Sequence, residues 1–271
     1  MSAQPIGVFD SGVGGLSVLR KLQRQLPDEH FIYVADSAYA PYGQLSETTL
    51  KQRCQYISDF FVQQGVKSIV IACNTATAAM ADWMRQRLAI PVVAIEPAIK
   101  PACQQTNNHR IGVFATQNTL SSERYQKLLR VYAANCTVIE SPCIGFVEQV
   151  EKGDLTSAET KHIVQKNLQP MLENTIDTLV LGCTHYPFLK PMIRAVSKTL
   201  AYPDLCILDT ADAVAKQLSN VLQQNQLMAA SSGQPSHHYY TTACAEVYRP
   251  VFSKLMGKNI QITVLSNLPN K

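Results

Sequence analysis

The chain holds 271 residues and 29.9 kDa, more than one domain usually needs and enough for two separate cores. Hydrophobic residues make up 46% and charged residues 16%, with one Trp and no biased tract, which excludes disordered and fibrous classes and describes an ordinary globular protein. Basic residues outnumber acidic ones by only 24 to 20 and are scattered, the densest group being Arg20, Lys21 and Arg24 on one predicted helix, so neither a nucleic-acid surface nor a membrane patch is expected.

In chain order, "MSAQPIGVFD" enters a strand at once, without the basic and apolar regions of a secretion signal, and no apolar run approaches the roughly 18 residues that cross a bilayer. A cytoplasmic protein is expected. Short runs rich in Val, Ile and Phe predict strands at 6–9, 31–35, 68–73, 92–95, 111–115, 137–140, 178–182, 206–208, 239–241 and 261–265. The spacing of Leu16, Leu19, Leu22 and Leu26 predicts a helix over 15–25, and Ser46 with Glu47 opens another that Gly65 ends.

Strands alternating with helices give an α/β class: two similar domains, each a mainly parallel sheet flanked by helices. The expected boundaries are 1–98 plus 205–271 for a discontinuous first domain and 99–204 for a second inserted into it. The stretch "AASSGQPSHH" at 229–238 reads as a polar loop, with His237 and His238 a solvated pair rather than metal ligands.

Eight cysteines occur without a secretion signal and without any Cys-x-x-Cys, so neither a disulfide framework nor a zinc site is expected and most thiols should be packed in the core. Two stand apart. "IGVF" occurs at 6–9 and again at 111–114, and Cys73 follows Phe9 by 64 residues while Cys183 follows Phe114 by 69. Both cysteines are predicted where a buried strand ends and a helix starts, in "SIVIACNTATAAM" and "DTLVLGCTHYPFL". Ligands of open parallel sheets sit at such ends, and a helix N-terminus stabilises a thiolate. The hydroxyl and amide groups after each thiol suit carboxylates. Two thiols on opposite faces of a substrate carbon could remove one α-proton and deliver another, which is racemisation without a cofactor.

Through "GVFDSGVGGLSVLR", "ADSAYAPYG", "ACNTATA", "VVAIEPAIKPA", "GVFATQNTLSS", "FVEQVEKG", "LVLGCTHYP" and "LDTADAVA", the sequence resembles the glutamate racemases of the aspartate/glutamate racemase superfamily. The resemblance implies two α/β domains with the active site in the cleft between them, and interconversion of L- and D-glutamate with no cofactor and no metal, supplying D-glutamate for peptidoglycan. Carried over by motif, Cys73 looks like the thiol that abstracts from D-glutamate and Cys183 the one for L-glutamate. Asp10 would orient or activate Cys73, His185 would assist Cys183, and Glu151 looks like an auxiliary acid. Ser11, Pro41, Tyr42, Gly43, Asn74, Thr75, Thr116, Thr119 and Thr184 would contact the substrate. Glu148 stands where the family usually has Pro and competes with Glu151. The family is often dimeric, and some members take a cell-wall precursor as activator; the short N-terminus favours a member without that dependence.

Other readings remain beside this one. An aspartate racemase differs by one methylene of substrate. Cys73 and Cys183 could form a redox dithiol. "GVGGLS" with Asp36 nearly fits a dinucleotide loop and its ribose-binding acid, although Ser17 replaces the third glycine and the turn also suits a small carboxylate. A Cys-x-His metal pair at Cys183 and His185 lacks further ligands at recognisable spacing.

Overall fold

A computed structural model describes residues 3–230 and 234–265. In chain order the elements are β1 (Ile6–Asp10), α1 (Leu16–Gln25), β2 (Phe31–Ala35), α2 (Glu47–Gln63), β3 (Ser68–Ile71), α3 (Asn74–Arg87), β4 (Val92–Ala94), α4 (Ile99–Gln105), β5 (Arg110–Phe114), α5 (Gln117–Leu120), α6 (Glu123–Tyr132), β6 (Thr137–Ser141), α7 (Phe146–Glu151), α8 (Ala158–Glu173), β7 (Thr178–Leu181), α9 (Lys190–Thr199), β8 (Cys206–Leu208), α10 (Ala211–Gln224), β9 (His237–Thr241), α11 (Ala245–Met256) and β10 (Thr263–Val264). The chain divides into two compact units, Met1–Ile95 with Ala211–Lys271, and Glu96–Thr210.

Each unit is α/β around a parallel sheet. The first unit orders its strands β10-β9-β2-β1-β3-β4, and the second orders its own β6-β5-β7-β8. Every pairing is parallel. β1 lies between β2 and β3 as β5 lies between β6 and β7, so the two "IGVF" copies occupy the same place in sheets of the same connectivity. All five residues of β1 are buried, as a central strand covered on both faces requires.

The glycine in each copy has a steric reason. A Cβ on Gly7 would come within 2.8 Å of the Phe61 ring on α2, and one on Gly112 within 2.6 Å of Ile176 Cδ1, just beyond α8. Helix and strand approach so closely in both units that only a residue without a side chain fits between them. Around the first contact Phe9, Ile57, Ile69 and Met84 form a core, and around the second sheet Ile99, Ile111, Val113, Tyr125 and Val180 form another.

The sequence misplaces one histidine pair. His237 and His238 open β9, paired along β2, rather than lying in a solvated loop; Ser231, Ser232 and Gly233 of that stretch fall outside the described residues. His237 stacks its ring against Phe31 at 5.7 Å. Burial first, then the cationic surroundings of Lys258, pull its pKa down to about 4. The strand expected at 261–265 shortens to Thr263–Val264. No helix among the described residues is long and apolar enough to cross a membrane.

Candidate active site

β1 delivers Asp10, completely buried, to the carboxyl edge of the first sheet. The Gly12 N–H donates to Asp10 Oδ1 at 2.9 Å, and the Tyr33 hydroxyl donates to the Gly12 carbonyl at 2.7 Å. The glycine-rich turn therefore folds back over its own aspartate. A Cβ on Gly15 would meet Asp10 Cβ at 2.6 Å and the Tyr33 hydroxyl at 2.8 Å, so this glycine serves close packing of the turn. Gly15 precedes α1 as its cap residue.

β3 ends two residues before Cys73, the N-cap of α3, whose Sγ accepts from the Ala76 N–H at 3.4 Å. The Cys73 thiol donates to Ser11 Oγ at 3.7 Å, and Ser11 donates to Asp10 Oδ1 at 3.4 Å. Asp10 is thus coupled to the thiol through a hydroxyl that the sequence assigns to substrate alone. Asn74 and Thr75 are buried on the first turn of α3, and Asn74 Oδ1 has no protein partner among the described residues.

Pro41, Tyr42 and Gly43 occupy a compact segment between β2 and α2, with a cis bond between Ala40 and Pro41. The resemblance names Tyr42 as a substrate contact, and its hydroxyl is already committed within the protein. Tyr42 is buried and donates to Asp36 Oδ2 at 2.5 Å, and Arg53 and Thr242 fill the rest of that carboxylate. What the turn can offer is backbone, because no partner is recorded for the N–H groups of Tyr42 and Gly43 among the described residues. Asp36, its lone pairs taken, is also unavailable to a ribose.

The second unit handles its thiol differently. Cys183 follows β7 and Gly182, but no α-helix starts there: a 3-10 turn, Tyr186–Leu189, intervenes before α9. The expectation of a helix N-terminus at both thiols holds for Cys73 and is corrected for Cys183. Here the partner is a side chain. Cys183 Sγ and His185 Nδ1 approach to 3.6 Å, and His185 Nε2 and Glu151 Oε1, on α7, to 2.6 Å. Burial disfavours the imidazolium, but the hydrogen bonds to Cys183 and Glu151 outweigh it and raise the His185 pKa well above its ordinary value. With both ring nitrogens engaged, His185 has none to give a metal.

Glu151 is therefore the acid that touches His185, while Glu148, one turn earlier, is exposed. Thr184 is buried beside the thiol. Thr116 caps α5, accepting from the Thr119 N–H at 3.3 Å, and the two hydroxyls lie 2.9 Å apart. Cys54 and Cys143 show what packed thiols look like: burial drives Cys54 up to about 12 and Cys143 well above its ordinary value. The sequence reading missed Arg53, whose partner Asp36 lies 17 residues away, and Tyr186, completely buried with its hydroxyl toward Cys183. No spacing signal marks either.

A family model described as Asp/Glu/Hydantoin racemase matches residues 6–218. The chain is 47% identical over 255 residues to a glutamate racemase of Pseudomonas paraeruginosa, covering 93% of this chain and 94% of that protein. Among solved structures it is similar to glutamate racemase isoform RacE1 from Bacillus anthracis, with a TM-score of 0.89, 33% identity and full coverage of both chains. It is likewise similar to the Escherichia coli glutamate racemase, solved with L-glutamate and the activator UDP-MurNAc-Ala, with a TM-score of 0.82 and 30% identity over 98% of this chain and 100% of that one. Sequence, fold and the setting of the two thiols agree: the chain belongs to the aspartate/glutamate racemase family, as one of its glutamate racemases, which are amino-acid isomerases.

Proposed function

We propose that the chain interconverts L- and D-glutamate by a cofactor-independent two-base mechanism in which Cys73 and Cys183 act on opposite faces of one α-carbon. One observation supports this above the others: each thiol follows the corresponding strand of a repeated sheet, and each has its own acid–base partner. The partners differ in kind. Cys73 is a donor toward the Ser11 hydroxyl. Cys183 lies 3.6 Å from the His185 ring, whose pKa is raised, so the imidazole is the partner that can take up and return its proton.

In the L-to-D direction the Cys183 thiolate takes the α-proton and the Cys73 thiol delivers its own to the other face. The Cys73 thiolate so formed keeps the Ala76 N–H, and Glu151 holds the His185 charge. In the reverse direction Asp10, through Ser11, draws the Cys73 proton away. Substrate carboxylates are held by neutral donors: the N–H groups of Tyr42 and Gly43, with Ser11, Asn74, Thr75, Thr116, Thr119 and Thr184. Pro41 shapes that turn.

The product serves peptidoglycan synthesis, which places the protein in the cytoplasm. Light scattering tests for a homodimer, and assays with and without UDP-MurNAc-Ala, the activator named for the E. coli enzyme, test the expectation that this chain works without one. The mechanism is tested by single-thiol variants. Cys73→Ala and Cys183→Ala should each lower racemisation by about a thousandfold or more. Near wild-type turnover by Cys73→Ala would end the two-base reading.

A further inference from the structure

Asp36, one residue past β2, is completely buried, and its N–H donates to the Asp10 carbonyl at 3.0 Å. Its carboxylate accepts four hydrogen bonds from three separate segments: Arg53 Nε at 2.9 Å and Nη2 at 2.8 Å, Tyr42 Oη at 2.5 Å, and Thr242 Oγ1 at 2.8 Å. Thr242 Oγ1 in turn accepts from the Ala38 N–H at 3.1 Å. The segment 37–44 is therefore tied to one carboxylate near both of its ends. Arg53 lies over the Tyr39 ring at 3.9 Å and the Tyr56 ring at 4.9 Å, so its planar fork is fixed in orientation as well as paired.

Such a cluster is poorly explained by stability alone. Removing two charges from water offsets most of what their attraction returns, and an apolar pair of the same volume would hold β2 and α2 together equally well. A buried fork does supply direction. It also neutralises an aspartate that immediately precedes a 3-10 turn, Ser37–Tyr39, and is bonded through its N–H to Asp10, where an uncompensated charge would oppose an anionic substrate.

We propose that Asp36 and Arg53 are positioning residues for substrate: the pair orients the 41–43 turn so that the Tyr42 and Gly43 N–H groups meet a substrate carboxylate, and Arg53 cancels the Asp36 charge beside that anion. This rests on the glutamate reading above. The test compares KM and kcat for L-glutamate, with melting temperatures, in wild type, Arg53→Lys, Tyr42→Phe and Lys67→Met. Arg53→Lys keeps the charge and loses the fork. Its KM should rise about tenfold with kcat within about twofold, the signature of lost ground-state binding. Tyr42→Phe removes one of the four bonds and should raise KM about threefold, which keeps the test open if Arg53→Lys folds poorly.

Lys67→Met breaks the other buried pair of this unit, Lys67–Glu29 at 2.6 Å, and should lower the melting temperature while leaving KM unmoved. If Arg53→Lys and Tyr42→Phe behave like Lys67→Met, the cluster is structural and the positioning role is wrong. A wild type inactive on glutamate defeats the functional reading and this role with it; an active wild type with unmoved KM in both variants defeats the positioning role alone.

Discussion

At the scale of the residue, the two thiols differ in what surrounds them. Cys183 depends on one imidazole and one carboxylate, Cys73 on a hydroxyl, an aspartate and a helix N–H. Glu151→Gln should therefore weaken the half-reaction in which Cys183 is the base more than the one in which Cys73 is. Initial rates from L-glutamate should fall about tenfold further than α-proton exchange from D-glutamate. Glu148→Gln, at an exposed site, should change neither. Comparing the two variants by proton exchange from each enantiomer decides between the glutamates. Away from the site, His237 makes a pH prediction. Its folded value is about 4, below the roughly 6.5 of the unfolded chain. The unfolded chain binds more protons between those values, so stability is lost as pH falls through that window. In His237→Gln the loss of urea midpoint between pH 7 and pH 4.5 should be smaller than in wild type; equal losses would show that His237 is not the group responsible.

At the scale of the element, the two "IGVF" strands invite comparison because their glycines meet different neighbours. Gly7 faces the Cγ end of a rigid ring, Phe61, while Gly112 faces the far end of the Ile176 side chain. Gly7→Ala should cost about 1–3 kcal/mol as overpacking, and Gly112→Ala the lower end of that range or less. Urea unfolding of both variants checks the order. The same contrast says what the sequence makes legible. Apolar runs and cap residues fix strand and helix positions, and Ser46 caps α2 through the Thr49 N–H as its sequence suggests. A repeated strand with a repeated cysteine points at both thiols. Less legible is anything set by a contact between distant segments. "HHYYT" carries two polar residues beside a polar stretch, so it reads as loop until β2 supplies a parallel partner for it. The Cys183 junction copies that of Cys73 in composition, yet Pro187 and Pro191 and a 3-10 turn postpone the helix. Tyr42 resembles a substrate contact in its motif, and only Asp36 reveals that its hydroxyl is committed.

At the scale of the whole molecule, the two sheets share a four-strand order, and in the proposed mechanism each carries one acid–base thiol after the strand next to the central repeat. A repeated fold suits a reaction whose two half-steps are mirror images about one carbon, because each unit needs to solve the same problem once. The units then diverge in their partners: a histidine and a carboxylate at Cys183, a hydroxyl and an aspartate at Cys73. From this follows an isotopic pattern. Two separate bases exchange their protons with solvent independently, so product should acquire solvent hydrogen at its first appearance while unreacted substrate keeps its own.

The measurement that tests this most directly is the reaction of L-glutamate in deuterated water, following enantiomer ratio and α-deuterium together from the earliest turnover. The account predicts D-glutamate carrying one solvent deuterium while the remaining L-glutamate is still protiated, with L-aspartate giving neither exchange nor inversion at a comparable rate. D-glutamate that retains its original proton, or L-glutamate that gains deuterium as fast as product forms, would contradict it, since either result requires a single base serving both faces.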